Sequence, residues 1–169
     1  ANLVGNTIQQ NTIGLAANGT SSLTNGGNGT GLLMNPNSKA NLVGGNTPAA
    51  RNIISGSGTG LSMGSAFNNT VQGNYIGLSG DGINKVLGAA QTIGISMSTA
   101  TANLIGGTGA GEGNVISGNS SNGISLSAVT ASANAIYHNT IGPNAAGTGT
   151  LLGGGSPQSG ISITSAQSN

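Results

Sequence analysis

No cysteine occurs among the 169 residues, which removes disulfides and thiolate metal sites from consideration. Tryptophan is absent too, and aromatic residues amount to 2% of the chain. Platforms for stacking bases or sugar rings are therefore poorly supplied. Charge is nearly missing: three Lys or Arg stand against two Asp or Glu, a formal net charge of +1. That balance gives no electrostatic ground for a nucleic-acid partner or an anionic membrane surface. No apolar run approaches the ~20 residues that cross a bilayer, so no membrane span is expected. The chain opens at Ala1 without a charged or apolar leader; we read it as a processed product or a piece of something longer.

What is present is small and polar. The chain holds 33 Gly, with Asn, Ser and Thr filling most of the remainder. Low hydrophobicity leaves little to offset chain entropy and invites a disordered reading. Two features oppose it. Disordered chains carry many charges, and here the apolar residues recur at regular positions in short, similar segments.

The recurrence is internal. "ANLVGG" at Ala40–Gly45 returns as "ANLIGG" at Ala102–Gly107. Two segment types alternate. One reads "NLVGGNTPAARNIISGSGTGLSM" from Asn41 and "NLIGGTGAGEGNVISGNSSNGISL" from Asn103. The other reads "NTIQQNTIGLAANGT" from Asn6, "NTVQGNYIGLSGDG" from Asn69 and "NAIYHNTIGPNAAGT" from Asn134. Each runs into a Gly-led stretch such as "GLSM" at Gly60 or "GISL" at Gly123. Steps from Asn6 to Asn41, Asn69, Asn103 and Asn134 are roughly 28–35 residues.

Within each segment the period is two. Ile124 and Leu126 share one face with Ser125 opposite, and Asn69 shares a face with Val71. Gly density and β-branched bias exclude helix. The fold class expected is all-β: a parallel β-helix of about five turns with three short strands per turn and uncapped ends, one domain over residues 1–169. Each turn has too few apolar side chains for a core of its own, but stacking turns makes a continuous column. The expected columns use Val43, Ile54, Val71, Ile76, Ile105, Ile116, Ile124, Leu126, Ile136, Ile141, Ile161 and Ile163. Asn41, Asn52, Asn69, Asn74, Asn103, Asn114, Asn134 and Asn139 are expected to face inward, bonding one another and the backbone bends. An unpaired buried amide costs about 1–3 kcal/mol, and Asn also tolerates left-handed bends.

The pattern N-x-I-G-G, then G-N-V-I-S-G-N, then G-I-x-I in Asn103–Leu126 resembles the Asn/Gly-rich repeats of very large bacterial surface and secreted proteins. Those repeats form the right-handed, pectin-lyase-like β-helix, and the resemblance covers nearly the whole chain. It implies right-handedness and an extracellular or cell-surface location. The fold hosts lyases, hydrolases, tailspikes and plain stalks alike. Its enzyme members carry acidic clusters with an Arg or Lys on an exposed face, and this sequence departs from that pattern.

Candidate chemistry is sparse. Acid–base work on sugars needs converging carboxylates, and the two acids, Asp81 and Glu112, lie in turns of different segment types. Arg51 and Glu112 hold nearly equivalent places two turns apart, where a surface contact is expected. Lys39 and Lys85 read as solvated loop charges, and His138 as a turn residue. "GLSGDG" at Gly77–Gly82 faintly resembles calcium-binding nonapeptides, but the equivalent loops lack Asp. "GGTGAGEGN" lacks the Lys-Ser/Thr of a phosphate loop. The acceptor triplets at Asn18, Asn28, Asn68 and Asn119 arise readily by chance in such a composition. No metal, cofactor or catalytic residue is expected.

Two functions of different class remain. The first is a structural segment or subunit of an extracellular fibre, stalk or surface layer, with self as partner, head-to-tail or lateral. It rests on terminal segments that look like internal ones: "ANLVGN" opens the chain and "GISITSAQSN" closes it. The second is a binding module whose Ser, Thr and Asn ranks meet surface glycans. An ice-binding face would want a more regular Thr array, and a polysaccharide-degrading enzyme more acids.

Overall fold

The computed structural model describes residues 4–23, 28–88, 91–149 and 159–169; Ala1–Leu3 of the opening "ANLVGN" lie outside them. The chain winds through five coils of three strands. Coil 1 holds β1 (Thr7–Ile8), β2 (Thr12–Ile13) and β3 (Thr30–Met34). Coil 2 holds β4 (Leu42–Gly44), β5 (Ile53–Ile54) and β6 (Thr59–Met63). Coil 3 holds β7 (Thr70–Gln72), β8 (Tyr75–Ile76) and β9 (Ile93–Ser98). Coil 4 holds β10 (Leu104–Gly106), β11 (Val115–Ile116) and β12 (Asn122–Ser127). Coil 5 holds β13 (Ala135–Tyr137), β14 (Thr140–Ile141) and β15 (Ser159–Thr164). Each strand pairs with its counterpart one coil on, giving three five-stranded sheets, and every such pairing is parallel. The molecule is a parallel β-helix. At about 4.8 Å per coil the stack is about 24 Å long.

Register turns the two-residue alternation into columns. Ile8, Val43, Val71, Ile105 and Ile136 stand one above another. So do Ile13, Ile54, Ile76, Ile116 and Ile141 in the second sheet. In the third, Leu32, Leu61, Ile95, Ile124 and Ile161 form one column. The three middle members of each column are fully or almost fully buried, whereas Ile161 is 43% and Ile163 58% exposed. They hold their register on Ile124 and Leu126, and β15 is the last strand of its sheet among the described residues.

The corner between the third sheet and the first repeats as a three-residue unit. Val4, Lys39, Phe67, Thr101, Ser132 and Gln167 pair in a parallel row of single bridges. The next residue turns left-handed in every coil: Gly5, Ala40, Asn68, Ala102, Ala133 and Ser168 have φ between 50 and 72°. An Asn follows each time, at positions 6, 41, 69, 103, 134 and 169. Left-handed backbone costs a non-Gly residue about 1–2 kcal/mol, so five of these six corner residues carry that strain to aim the Asn inward.

The other two corners alternate between coils. From the first sheet to the second, Asn6 and Asn11 are five positions apart, as are Asn69 with Asn74 and Asn134 with Asn139. In coils 2 and 4 the equivalent separation, Asn41 to Asn52 and Asn103 to Asn114, is eleven. The corner from the second sheet to the third reverses the order. It is long in coils 1, 3 and 5 and short in coils 2 and 4, where only Ser55–Gly58 and Ser117–Ser121 intervene. Long loops meet their own kind across the intervening coil. Ser22 N donates to Leu87 O (3.0 Å), Leu87 N to Thr20 O (3.0 Å), Gly80 N to Gly19 O (2.8 Å) and Ala145 N to Gly82 O (2.9 Å). On the other corner, the long turns of coils 2 and 4 close over Gly73 of coil 3. A Cβ there would run into Gly45 O and lie 3.0 Å from Gly111 O. The structural repeat is thus two coils, which is why "ANLVGG" recurs only at every second one.

A glycine leads the core of every third-sheet strand because sheets two and three meet there. A Cβ on Gly60 would lie 2.7 Å from Gly94 O and 2.9 Å from Ile76 Cγ2; on Gly123 it would lie 2.6 Å from both Gly160 O and Ile141 Cγ2. Backbone and Ile column fill the space. Overpacking of this kind costs about 1–3 kcal/mol, so Gly60→Ala should lower urea-unfolding stability by about 2 kcal/mol. Ala102→Gly should raise it by about 1 kcal/mol, because Ala102 is exposed and left-handed and loses no packing.

Candidate functional site

The features with most chemistry in them are two rows of buried carboxamides. In the first, Asn41 Oδ1 accepts from both the N–H (2.9 Å) and Nδ2 (2.8 Å) of Asn6. Asn69 does the same for Asn41 at 3.0 and 2.8 Å, and Asn103 for Asn69 at 2.9 and 3.0 Å. Asn134 then accepts from Asn103 at 3.1 and 3.1 Å, and Asn169 from Asn134 at 3.0 and 2.9 Å. The second row runs Asn11, Asn52, Asn74, Asn114, Asn139 with the same pair of bonds at each step, all between 2.9 and 3.1 Å.

From Asn69 on in the first row and Asn52 on in the second, Nδ2 also reaches back to a backbone carbonyl one rung earlier. Asn69 donates to Ser38 O (3.0 Å), Asn103 to Ala66 O (3.0 Å) and Asn134 to Ala100 O (2.9 Å). In the second row Asn52 donates to Ile8 O, Asn74 to Val43 O and Asn114 to Val71 O at 2.8–3.0 Å. One carboxamide thereby satisfies a backbone N–H, a backbone C=O and its neighbour's amide. Asn52, Asn74 and Asn114 are fully buried, and Asn69, Asn103 and Asn134 nearly so. Asn139 is half-buried in coil 5.

Asn6, from which the repeat steps are counted, heads the first row, and Asn11 and Asn169 belong to these rows although they are not among the inward Asn expected from the sequence. Asn6 and Asn169 carry the signal in the tripeptide that ends in Asn after a left-handed residue. A third corner is less complete. Gln91 Nε2 donates to Asn119 Oδ1 at 2.9 Å, but the buried Oε1 of Gln91 has no partner. The loops entering that corner differ in length from coil to coil, so its polar groups do not superpose.

The ionisable groups are scattered. Arg51 and Glu112 do not form the surface contact expected of them. The guanidinium lies 3.9 Å over the Tyr75 ring and Nε donates to Gly73 O at 3.0 Å. Tyr75 occupies the coil between them, in register with Ile53 and Val115, and takes the cation first. Glu112 accepts from Gly109 N at 2.7 Å. Lys39, expected to be solvated, is half-buried with Nζ 5.7 Å from the Phe67 ring centre. His138 is an exposed corner residue with φ 50°. Among the described residues no group of three or more His, Asp or Glu is placed to hold a metal, and no helix is long and apolar enough to cross a membrane.

Asp81 closes a turn. It accepts from Ser79 Oγ (2.5 Å) and Ile83 N (2.8 Å), and the Ser79 bond first, then the Ile83 amide, hold its carboxyl below the usual carboxylate range.

The two end faces show the interior in section. At one end Asn6, Ile8, Leu32, Met34 and Asn41 line a hollow of about 150 Å³. At the other, Asn134, Ile136, Tyr137, Ile161, Ile163 and Asn169 line one of about 360 Å³. Both offer an apolar floor edged by a ladder Asn.

Comparison with known protein families, with curated proteins and with solved structures finds no match to this chain.

Asn74→Ala removes the acceptor of the Asn52 N–H and of one Nδ2 hydrogen, and the side-chain donor to the Val43 carbonyl, so about 3 kcal/mol should be lost in urea unfolding. Asn18→Ala, whose bonds stay within its own loop, should cost under about 1 kcal/mol. Asp81 stabilises the fold only while ionised, so its contribution is present above the unfolded carboxyl pKa and fades as pH falls below about 4. Wild type should therefore lose more stability than Asp81→Asn between pH 7 and pH 3, measured by urea midpoint.

Proposed function

We propose that this chain is a non-catalytic structural segment of an extracellular bacterial fibre, stalk or surface layer, in which β-coils stack to make a stiff shaft. The observation that carries the reading is the sameness of the rungs. The first ladder runs through all five coils and on to Asn169 without a break, and each end face carries the residue types that interior coils use to hold one another. Among the described residues almost nothing else has been built on the scaffold. The few charged groups are engaged in local turns and ring contacts or lie singly at the surface, with no converging pair to serve as acid and base.

The reading takes the coil as right-handed and secreted, in the manner of the repeats that Asn103–Leu126 resembles. Near-zero charge suits a shaft whose coils lie about 4.8 Å apart, because like charges repeated at that spacing would repel along its whole length. A second reading, adhesion to surface glycans, is favoured by one row: Ser62, Ser96, Ser125 and Ser162 stand in register on the outer face of the third sheet.

Immunogold labelling of intact source cells tests the first reading. Label on threads or a coat outside the cell is expected. Label confined to the cytosol, or release of unsaturated sugars when the protein is given acidic polysaccharides, would contradict it. Retention on a glycan array by wild type but not by Ser96→Lys would move the weight to adhesion.

A further inference from the structure

The end face formed by β13, β14 and β15 is selective in the coil it accepts. We propose that it takes an Asn-led β-coil of the kind seen in coils 2 and 4 and refuses a coil of the kind seen in coils 1, 3 and 5. The inference rests on the stacking reading above and narrows its partner.

The coil-to-coil interface inside the molecule continues onto this face. Asn169 already stands as the sixth rung of the first ladder, its Oδ1 bonded to Asn134. In every earlier rung that position donates its N–H and Nδ2 to the next Asn. Beside it Ile161 and Ile163 are 43% and 58% exposed, where Ile124 and Leu126 one coil earlier are fully buried. Asn169 Nδ2 already donates to Ala131 O and Gln167 O, at 3.1 Å each, as Asn103 does to Ala66 O and Thr101 O; a further coil would add the ladder acceptor that every earlier rung has and cover the apolar side chains together.

The alternating corners decide which coil. Coil 5 has the short first turn, with Tyr137, His138 and Asn139 passing directly from β13 to β14, and the long second loop, whose Ala145 N leans back to Gly82 O of coil 3. Every short first turn within the stack is followed by a long one. Every long second loop meets its like two coils away, about 10 Å along the axis. A coil of the coil 2 kind fits both requirements: its eight-residue turn between the first two strands lies over the Tyr137–Asn139 corner, and its short second turn leaves the Gly142–Gly149 loop clear. A coil of the coil 1 kind would bring two long loops to a spacing of one rise and leave the first corner uncovered. Coil 1 of a second copy, set directly on coil 5, would bring together two coils of the same kind.

Two extended variants of the full chain test this, the tether standing in for a partner at high effective concentration. One appends residues 104–169 after Asn169, so that the sixth coil is of the coil 4 kind. The other appends residues 70–134, so that it is of the coil 3 kind; both additions have nearly the same length and composition. Hydrogen exchange at the Asn169 amide and the urea midpoint are read against the unextended chain. The first variant should slow exchange at Asn169 at least tenfold and raise the midpoint in one cooperative transition. The second should leave both near the unextended values. Equal protection by the two variants would overturn the selectivity while leaving the stacking reading intact. Protection by neither would overturn both.

Discussion

The structure depends on one interaction: an asparagine carboxamide that accepts two hydrogen bonds from the rung before it and donates onward to the rung after. A β-coil whose first two strands are only two or three residues long has corners in quick succession, and corner peptides cannot all join a sheet ladder. Left alone in the interior, each would cost about 1–3 kcal/mol. The rows from Asn6 to Asn169 and from Asn11 to Asn139 take up those groups and do so identically in successive coils. No other short side chain here carries donor and acceptor on one planar group; Ser or Thr would cover fewer partners, and a carboxylate could not donate at all.

Other features follow from holding those rows straight. The residue before each first-ladder Asn must turn left-handed, so Ala, Asn and Ser accept a backbone strain there that Gly accepts freely. Sheets two and three must approach closely, so a Gly column runs beside the Ile column. The core is then only one or two apolar side chains thick per strand, and its stability comes from length. Coil-to-coil contact is the unit of cohesion, as in other solenoids. Loops are free to vary so long as they leave the ladders in place, and they do so in a two-coil rhythm that lets long loops pair across short ones.

Much of this was legible in the sequence, for a physical reason. A solenoid writes its contacts as repetition, so stacking of Val43 with Val71 and Ile105, and of Asn41 with Asn69 and Asn103, could be read by aligning the chain with itself. What could not be read so was anything depending on contact between unlike coils. The capture of Arg51 by Tyr75 draws on the coil between Arg51 and its apparent partner Glu112. The pairing of Ser22 with Leu87 joins loops with little sequence in common. Second-sheet strands are two residues each, because Asn52, Asn74 and Asn114 turn in immediately before them. The exposure of Ile161 and Ile163 depends on position in the stack, which an internal pattern does not encode. Function was less legible still, because a shaft needs no clustered side chains to mark it.

The most direct test of the account is residue-resolved hydrogen exchange in the native state, reading backbone and side-chain amides together. If the ladders hold the coils, the N–H and Nδ2 protons of Asn52, Asn69, Asn74, Asn103 and Asn114 should exchange only through global unfolding, as slowly as the amides of β7 and β10. Exchange of those carboxamides at the rate of surface Asn18 or Asn37, with the strands still protected, would contradict it.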